Sequence, residues 1–435
     1  MNFLISEQFL NFELGNLFRI FYPYEELTVK NEDIENPDFS VIIKENKAFL
    51  TVKKQSEVIE IIKSKDDIEH RVCKKFFSML CKENNYSPKW GMLTGIHPVK
   101  LFAEYERKIG TEMAINHFAT EMSVSKEKTD FAKSIADIEK RFVENIGEND
   151  FSLYVSIPFC PSRCSYCSFV SQSIEKKEKL IAPYFELLLK EIEYTAKIAN
   201  INGLVLKSVY IGGGTPTTLS AVQLKDLIDK IRELFDFSNC DEFTVEAGRP
   251  DTIDREKLLT LKKCGIGRIS INPQSLNDEV LKLIGRNHSS KEFLEKYQMA
   301  KELGFEIINT DLIAGLEGDD FESFANTLDR IIELSPENIT VHSLALKRSA
   351  KIFREKDTKD YHGDRNSADK MIEYSVKKLS ENGYLPYYLY RQSRMAGNCE
   401  NTGWAKKDCE CAYNIYTMDE SQTILACGAG AVTKL

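Results

Sequence analysis

The run Ser156 to Phe169, SIPFCPSRCSYCSF, puts Cys160, Cys164 and Cys167 into eight residues. Thiolates are soft donors that select iron-sulfur clusters or zinc. Three of them suit three irons of a cubane cluster and leave the fourth iron without a protein ligand. Zinc is the competing occupant. A structural zinc site is closed by four ligands, generally two pairs separated by a loop, and C-x3-C-x2-C on one short loop does not supply them. Cys399, Cys409, Cys411 and Cys427 are available to complete such a site, but their spacing forms no C-x2-C pair. Scattered free thiols are the third reading.

Such a loop needs a scaffold, and the surrounding pattern predicts one. From Phe151 onward, strand-like runs alternate with helical ones, the mark of βαβ units. The strand runs are FSLYVSIPF, LKSVYIGG, EFTVEAG, GRISINPQS, FEIINTDLIAGL and NITVHSLAL, with YLPYYLYR as a weaker later one. The helical runs between them carry apolar residues at three- and four-residue steps, and several end in Gly. Parallel strands must be covered by their crossover helices. The units therefore form a doubly wound sheet or a curved, incomplete relative of the (β/α)8 barrel. Both architectures bind ligands at the carboxyl ends of the strands. The chemically suggestive residues fall there: the Cys trio after strand one, Gly212 to Thr215 after strand two, Glu246 ending strand three, Gln274 ending strand four and Asp311 in strand five. One mouth would collect them all.

Residues 1–148 read as a separate α+β accessory domain. FSVIIKENKAFLTVKK alternates and turns at Glu45 to Lys47, and DDIEHRVCKKFFSMLCKEN and TDFAKSIADIEKRFVENIG are helical. The polar ENIGEND is the junction to a core domain over 149–385, and 386–435 reads as a C-terminal segment packing on the barrel. The stretch KRSAKIFREKDTKDYHGDRNSAD reads as solvated loop or helix ends, its place after strand six also setting it at the rim. The closing TILACGAGAVTKL reads as a strand and a Gly-rich turn, short of a further C-terminal segment.

The 435 residues, 42% of them hydrophobic, can bury one large core and a second, smaller one. A net charge of -9 leaves no basic field for a nucleic-acid partner. The opening MNFLISEQFLNFELGN mixes Glu7 and Glu13 into its apolar residues and does not read as a secretion signal. No apolar run approaches the ~18 residues of a membrane span, so the expectation is a soluble, cytoplasmic protein. The eleven cysteines are an odd number for a disulfide framework. Most read as reduced thiols, with Cys73, Cys81, Cys240 and Cys264 acting as small hydrophobes.

The Cys loop after the first strand, followed by GGGTP at Gly212 to Pro216 after the second, resembles the radical S-adenosylmethionine (SAM) superfamily over about the last two thirds of the chain. The resemblance implies an incomplete (β/α)6 TIM-like barrel of the radical SAM type, with the N-terminal α+β domain added. It also implies one 4Fe-4S cluster on Cys160, Cys164 and Cys167, whose open iron chelates the methionine end of SAM. An electron passed into the sulfonium then gives a 5′-deoxyadenosyl radical, which can take hydrogen from an unactivated carbon. Within the superfamily, YVSIPFCPSRCSYCSF, YIGGGTPTTL, TVEAGRPDTI, RISINPQSLNDEVLKLIGRNHS and NTDLIAGLEG look like blocks of the oxygen-independent coproporphyrinogen III dehydrogenase group. By that likeness Tyr154 lies beside SAM and Tyr166 near its adenosine. Gly213, Gly214 and Thr215 meet the methionine end, and Glu246 accepts from ribose hydroxyls or the amino group. Gln274, Arg286 and Asp311 hold polar groups of SAM or of a second SAM molecule, and Ala345 gives a main-chain contact. The implied partners are a reduced tetrapyrrole substrate and an electron donor such as flavodoxin or ferredoxin.

Other readings of these residues stand beside that one. Arg286 also reads as a helix ion-pair partner, His342 as a ligand, proton shuttle or core residue, and Tyr154 as packing. PKWGMLTGIHPVKLFAEY narrows the likeness to a branch with a long N-terminal extension. There Trp90, His97 and Lys100 form a ligand or docking surface, or else the structural turn that Gly91, Gly95 and Pro98 suggest. Ser156 stands where the best-studied dehydrogenases have His, and Phe169 where they carry a further Cys. A haem-handling sister group shares the Phe, but its His-Asn-x-x-Tyr-Trp motif is AYNIYTM here. Four propionate arms would want cations at the mouth; Lys347, Arg348, Arg391 and Arg394 are candidates by position, and read equally as ordinary surface charge. CGAGAV resembles the family's late glycine loop, which approaches adenine through its backbone.

Overall fold

A computed structural model describes the chain except residues 24, 32–34, 62–63, 346–364, 393–394 and 396–397. The first residues build a five-stranded sheet of order β2-β1-β3-β4-β5: β1 (Asn2–Ile5), β2 (Thr28–Lys30), β3 (Phe39–Lys44), β4 (Lys47–Val52) and β5 (Gln55–Glu60). The turn between β3 and β4 is the expected one, with Glu45 in the left-handed region at φ 54°. Alternation in β4 puts Ala48, Leu50 and Val52 on the buried face. They pack with helices Asn11–Phe21 and Lys65–Asn84 in a core of their own, in which Phe3 stacks on Phe76 at 5.1 Å. Helices Pro98–Ile109, Thr111–Thr120 and Lys126–Val143 gather a second cluster around Trp90, Phe102 and Phe118 that reaches Leu389.

The remainder forms a nine-stranded sheet of order β14-β15-β13-β12-β11-β10-β9-β6-β16. Its six central strands are parallel: β6 (Asp150–Ile157), β9 (Val205–Gly213), β10 (Glu242–Gly248), β11 (Arg268–Ile271), β12 (Ile307–Ala314) and β13 (Asn338–Ser343). Each of the first five is followed by a helix, as the sequence pattern predicts: Ile181–Ile201, Ala221–Leu234, Arg255–Lys263, Ser290–Glu302 and Phe321–Leu334. Side-chain caps start four of them, including a capping box between Ser220 and Gln223. Leu153, Val155 and Ile157 of β6 join the core shared with these helices, while Tyr154 turns to the barrel interior. The sheet order ends on β14 and β16 without pairing them, so the barrel is incomplete.

The last residues belong to this sheet. Strands β14 (Leu385–Tyr390) and β15 (Asn401–Ala405) continue it antiparallel beyond β13, and β16 (Thr423–Cys427) pairs parallel with β6. Between them helix Ala412–Asp419 packs its Tyr413 ring on Tyr210 at 4.5 Å. Strand β11 is shorter than its sequence run. Gln274 lies past its end, in a single bridge to Leu312 with φ 68°, an uncommon conformation for a residue with a Cβ and one that marks sites under functional constraint. No helix among the described residues is long and apolar enough to cross a membrane.

Candidate functional site

A cavity of about 470 Å³ opens at the carboxyl ends of the six parallel strands. Its lining contains Cys160, Cys164, Cys167, Tyr154, Tyr166, Gly213, Gly214, Thr215, Glu246, Gln274, Arg286, Asp311 and Ala345. The three loop cysteines and the ten candidate SAM contacts therefore line one space, most of them carried in or just past the carboxyl-terminal halves of strands pointing the same way.

The cysteine loop is braced along its length. Cys160 lies on the short strand β7 (Phe159–Cys160), paired with β8 (Gln172–Ser173). Ser165 N–H donates to Ile284 O at 3.0 Å and the Ser162 hydroxyl to Gly285 O at 2.8 Å, tying the loop to the turn that carries Arg286. Thr215 Oγ1 lies 3.6 Å from Cys160 Sγ. Burial raises the Cys160 thiol and pushes Cys167 up to about 11, so these sulfurs become thiolates only when an electrophile such as a metal takes the proton's place. Among the described residues, no three His, Cys, Asp or Glu side chains converge as ligands of one ion would. The late cysteines do not join the trio. Cys399 donates to Asp369, Cys411 to Glu242 and Cys427 to Thr195, and Cys409 offers its carbonyl to Arg268 and Asn338.

The glycines leave room for a ligand's approach. A Cβ on Gly214 would meet Phe159 O at 2.7 Å and Cys160 Sγ at 3.0 Å, and one on Gly213 would meet Ser156 Oγ at 2.6 Å. Polar side chains face the cavity opposite. Tyr210 donates to Glu246 Oε1 at 2.6 Å. Removal from water, with the Asp311 charge nearby, still pushes the Glu246 carboxyl up to about 7. Asp311 behaves oppositely. Burial would raise it, yet His342 at 3.8 Å, Asn309 at 2.8 Å and Thr340 hold it below its ordinary value. Arg286 donates to Asn272 O at 2.6 Å and approaches the Tyr166 hydroxyl at 3.4 Å. Its Nε and the Oε1 of Gln274 are buried without a partner, an expensive state that a polar ligand would relieve.

The donor set, the glycine cradle and these two orphaned atoms fit a cluster with SAM beside it. Three comparisons agree. The Radical SAM superfamily model matches residues 154–331. The oxygen-independent coproporphyrinogen-III oxidase-like protein HemZ of Bacillus subtilis is 34% identical over 99% of this chain and 89% of its own length. This chain is a radical SAM protein of the HemN-like family. The heme chaperone HemW of B. subtilis is also similar, 33% identical over 64% of this chain and 70% of its own. Among solved structures, the radical SAM coproporphyrinogen III oxidase HemN of Escherichia coli aligns with a TM-score of 0.55 and 27% identity, covering 68% of this chain and 67% of that one.

For this radical SAM chain several sequence readings change. Arg391, a candidate for propionates, turns inward: its guanidinium donates to Leu93 O and Asn398 Oδ1, both at 2.6 Å, and is buried. Lys347, Arg348 and Arg394 lie outside the described residues. Trp90 is buried, and His97 and Lys100 both reach Glu420. A Cβ on Gly91 would meet Met122 O at 2.1 Å. The PKWG motif is thus a structural turn. His342 is half-buried in the cavity between Asp311 and Tyr390.

Beyond Tyr154 and Tyr166, the sequence reading did not place four further tyrosines or one arginine at this radical SAM site. Tyr154, Tyr210 and Tyr413 stack in a wall, and Tyr388 lies parallel to Tyr390 at 6.4 Å. Alternation in YIGGG already put Tyr210 on the face of Gly212. Tyr413 entered the sequence reading only in the run AYNIYTM, and its place in the wall comes from tertiary packing. Arg249, directly after the end of β10, reaches the cysteine loop.

Proposed function

We propose that this chain is a radical SAM oxidoreductase that converts coproporphyrinogen III to protoporphyrinogen IX without oxygen. The observation that carries the reading is the facing of all three loop cysteines and all ten candidate SAM contacts into one strand-end cavity, in a chain similar end to end to an oxidase-like relative. Cys160, Cys164 and Cys167 would each hold one iron of a 4Fe-4S cluster. Gly213 and Gly214 would give backbone to the methionine end of SAM. Glu246, Gln274, Arg286 and Asp311 would pair with its polar groups, and the tyrosine wall would keep water from the reacting carbon. When bound, the cluster and SAM supply a carbon-centred radical able to take a hydrogen atom from an unactivated carbon. Each of two propionate arms would lose a hydrogen atom to that radical, which becomes 5′-deoxyadenosine, and then carbon dioxide and one electron, the electron passing to an acceptor, leaving a vinyl group. Reductive cleavage of SAM would draw its electron from a donor such as flavodoxin or ferredoxin.

A second reading is haem or porphyrin carriage on the same fold. It is favoured by the similarity to the heme chaperone HemW and by Phe169, exposed at the cavity rim. Anaerobic incubation of reduced protein with SAM and coproporphyrinogen III separates the two. The enzyme reading expects 5′-deoxyadenosine and protoporphyrinogen IX together. Stoichiometric haem uptake with neither product would replace it by the carrier, and equilibrium dialysis counts whether one SAM binds or two.

A further inference from the structure

Arg249 is buried, 4% exposed, and its guanidinium is held in a fork. Nε and Nη2 donate to the two carboxylate oxygens of Asp251 at 3.0 and 2.8 Å. The remaining nitrogen, Nη1, turns to the cysteine loop, donating to Ser162 O at 3.0 Å and to Ser162 Oγ at 2.9 Å, with Cys164 Sγ at 3.9 Å. Cys164 is the most enclosed of the three loop thiols. A planar, buried cation fixed bidentately by one acid therefore carries its remaining nitrogen, held by Ser162, to within 3.9 Å of one sulfur.

Resting on the cluster reading above, we infer that Arg249 is a positioning residue that sets the reduction potential of the centre held by Cys164, with Asp251 as its counterweight. Hydrogen bonds to ligand sulfurs and nearby net charge tune iron-sulfur potentials. A cation here favours the reduced, more negative state, and the Asp251 carboxylate offsets part of that field. The arrangement makes a signed demand: removing the cation lowers the potential, and removing the acid raises it. A purely structural tie between β10 and the loop would make neither.

The test is redox titration of anaerobically reconstituted full-length protein, followed by the electron paramagnetic resonance signal of the reduced centre, with iron and acid-labile sulfide measured on each sample. Wild type is measured first. Absence of iron and sulfide there overturns the cluster reading itself and leaves Arg249 a structural tie. With wild type loaded, Arg249→Gln is expected at a more negative midpoint and Asp251→Asn at a more positive one. Should Arg249→Gln not hold iron, Asp251→Asn decides by itself. A loaded variant with the wild-type midpoint, or two variants shifted in the same direction, overturns the inference while the cluster stands.

Discussion

Trp90 donates its indole N–H to Glu400 Oε2 at 2.7 Å, joining residues 310 positions apart. Lys128 pairs with the other carboxylate oxygen, and Arg391 lies 5.6 Å from the indole centroid. Glu400 is 1% exposed, so its charge persists only because these partners surround it. Burial would raise its carboxyl, and Lys128, Trp90 and Arg391 together hold it below the ordinary value. Lys128→Met should cost about 3 kcal/mol in urea unfolding, because it strands a buried charge. Adding Glu400→Gln should recover part of the loss. The depressed carboxyl also fixes a sign: its stabilisation is present above the unfolded value of 4.5 and fades as pH falls through the lower folded one.

Ser156 explains one departure from the family's dehydrogenases. Its side chain is buried, with the hydroxyl 3.1 Å from Ala429 O, and Tyr184 donates to its carbonyl at 2.6 Å. The glycine loop covers it: Gly428 has φ 97°, and a Cβ there would meet Ser156 O at 2.4 Å. Ser156→His has no room between Gly213 and this loop and should destabilise the protein by about 2 kcal/mol, read as a lower thermal midpoint. Gly428→Ala should cost at least as much, about 2 kcal/mol, since it adds a contact to an unsuitable backbone conformation.

Much of this was legible in the sequence because period and punctuation act locally. Each of the six strand runs became a parallel strand, and helices fill the runs between them. Gathering Cys160, Glu246, Gln274 and Asp311 at one mouth followed from strand direction alone. Arg391 was misjudged because a charge beside a predicted strand does not say which way it points. Inward, it caps Leu93 O, a carbonyl about which the sequence says nothing. The site roles of Tyr413 and Arg249 were not legible for a related reason: their partners, Tyr210 and Ser162, are distant in sequence and meet only once the barrel exists.

Cys164→Ser separates ligation from folding. The N-terminal core around Phe3, Phe18, Phe39 and Phe76 contains no residue of the loop. The variant should therefore lose most of the iron and sulfide, about four of each in the loaded protein, and all SAM cleavage. Limited proteolysis should still leave an N-terminal fragment as resistant as in wild type. Full cleavage activity in this variant would defeat the assignment of the loop.

On the proposed contact, Glu246 would link SAM binding to pH. Its carboxyl, pushed up to about 7 by burial, is neutral below that value and charged above it. A neutral acid loses the charge-assisted acceptor that the proposed contact requires. Titration calorimetry should show SAM affinity weakening about tenfold per pH unit below the pKa and levelling above it, while Glu246→Gln should bind more weakly and show no such bend. The same shift makes ionisation a cost to the fold. Between 4.5 and about 7 the folded chain keeps a proton that the unfolded chain has released, so stability falls as pH rises through that window. Glu246→Gln removes this cost, and its thermal midpoint should overtake that of wild type above about 7. A wild-type affinity profile that stays flat across that range would show that Glu246 is not the group SAM meets.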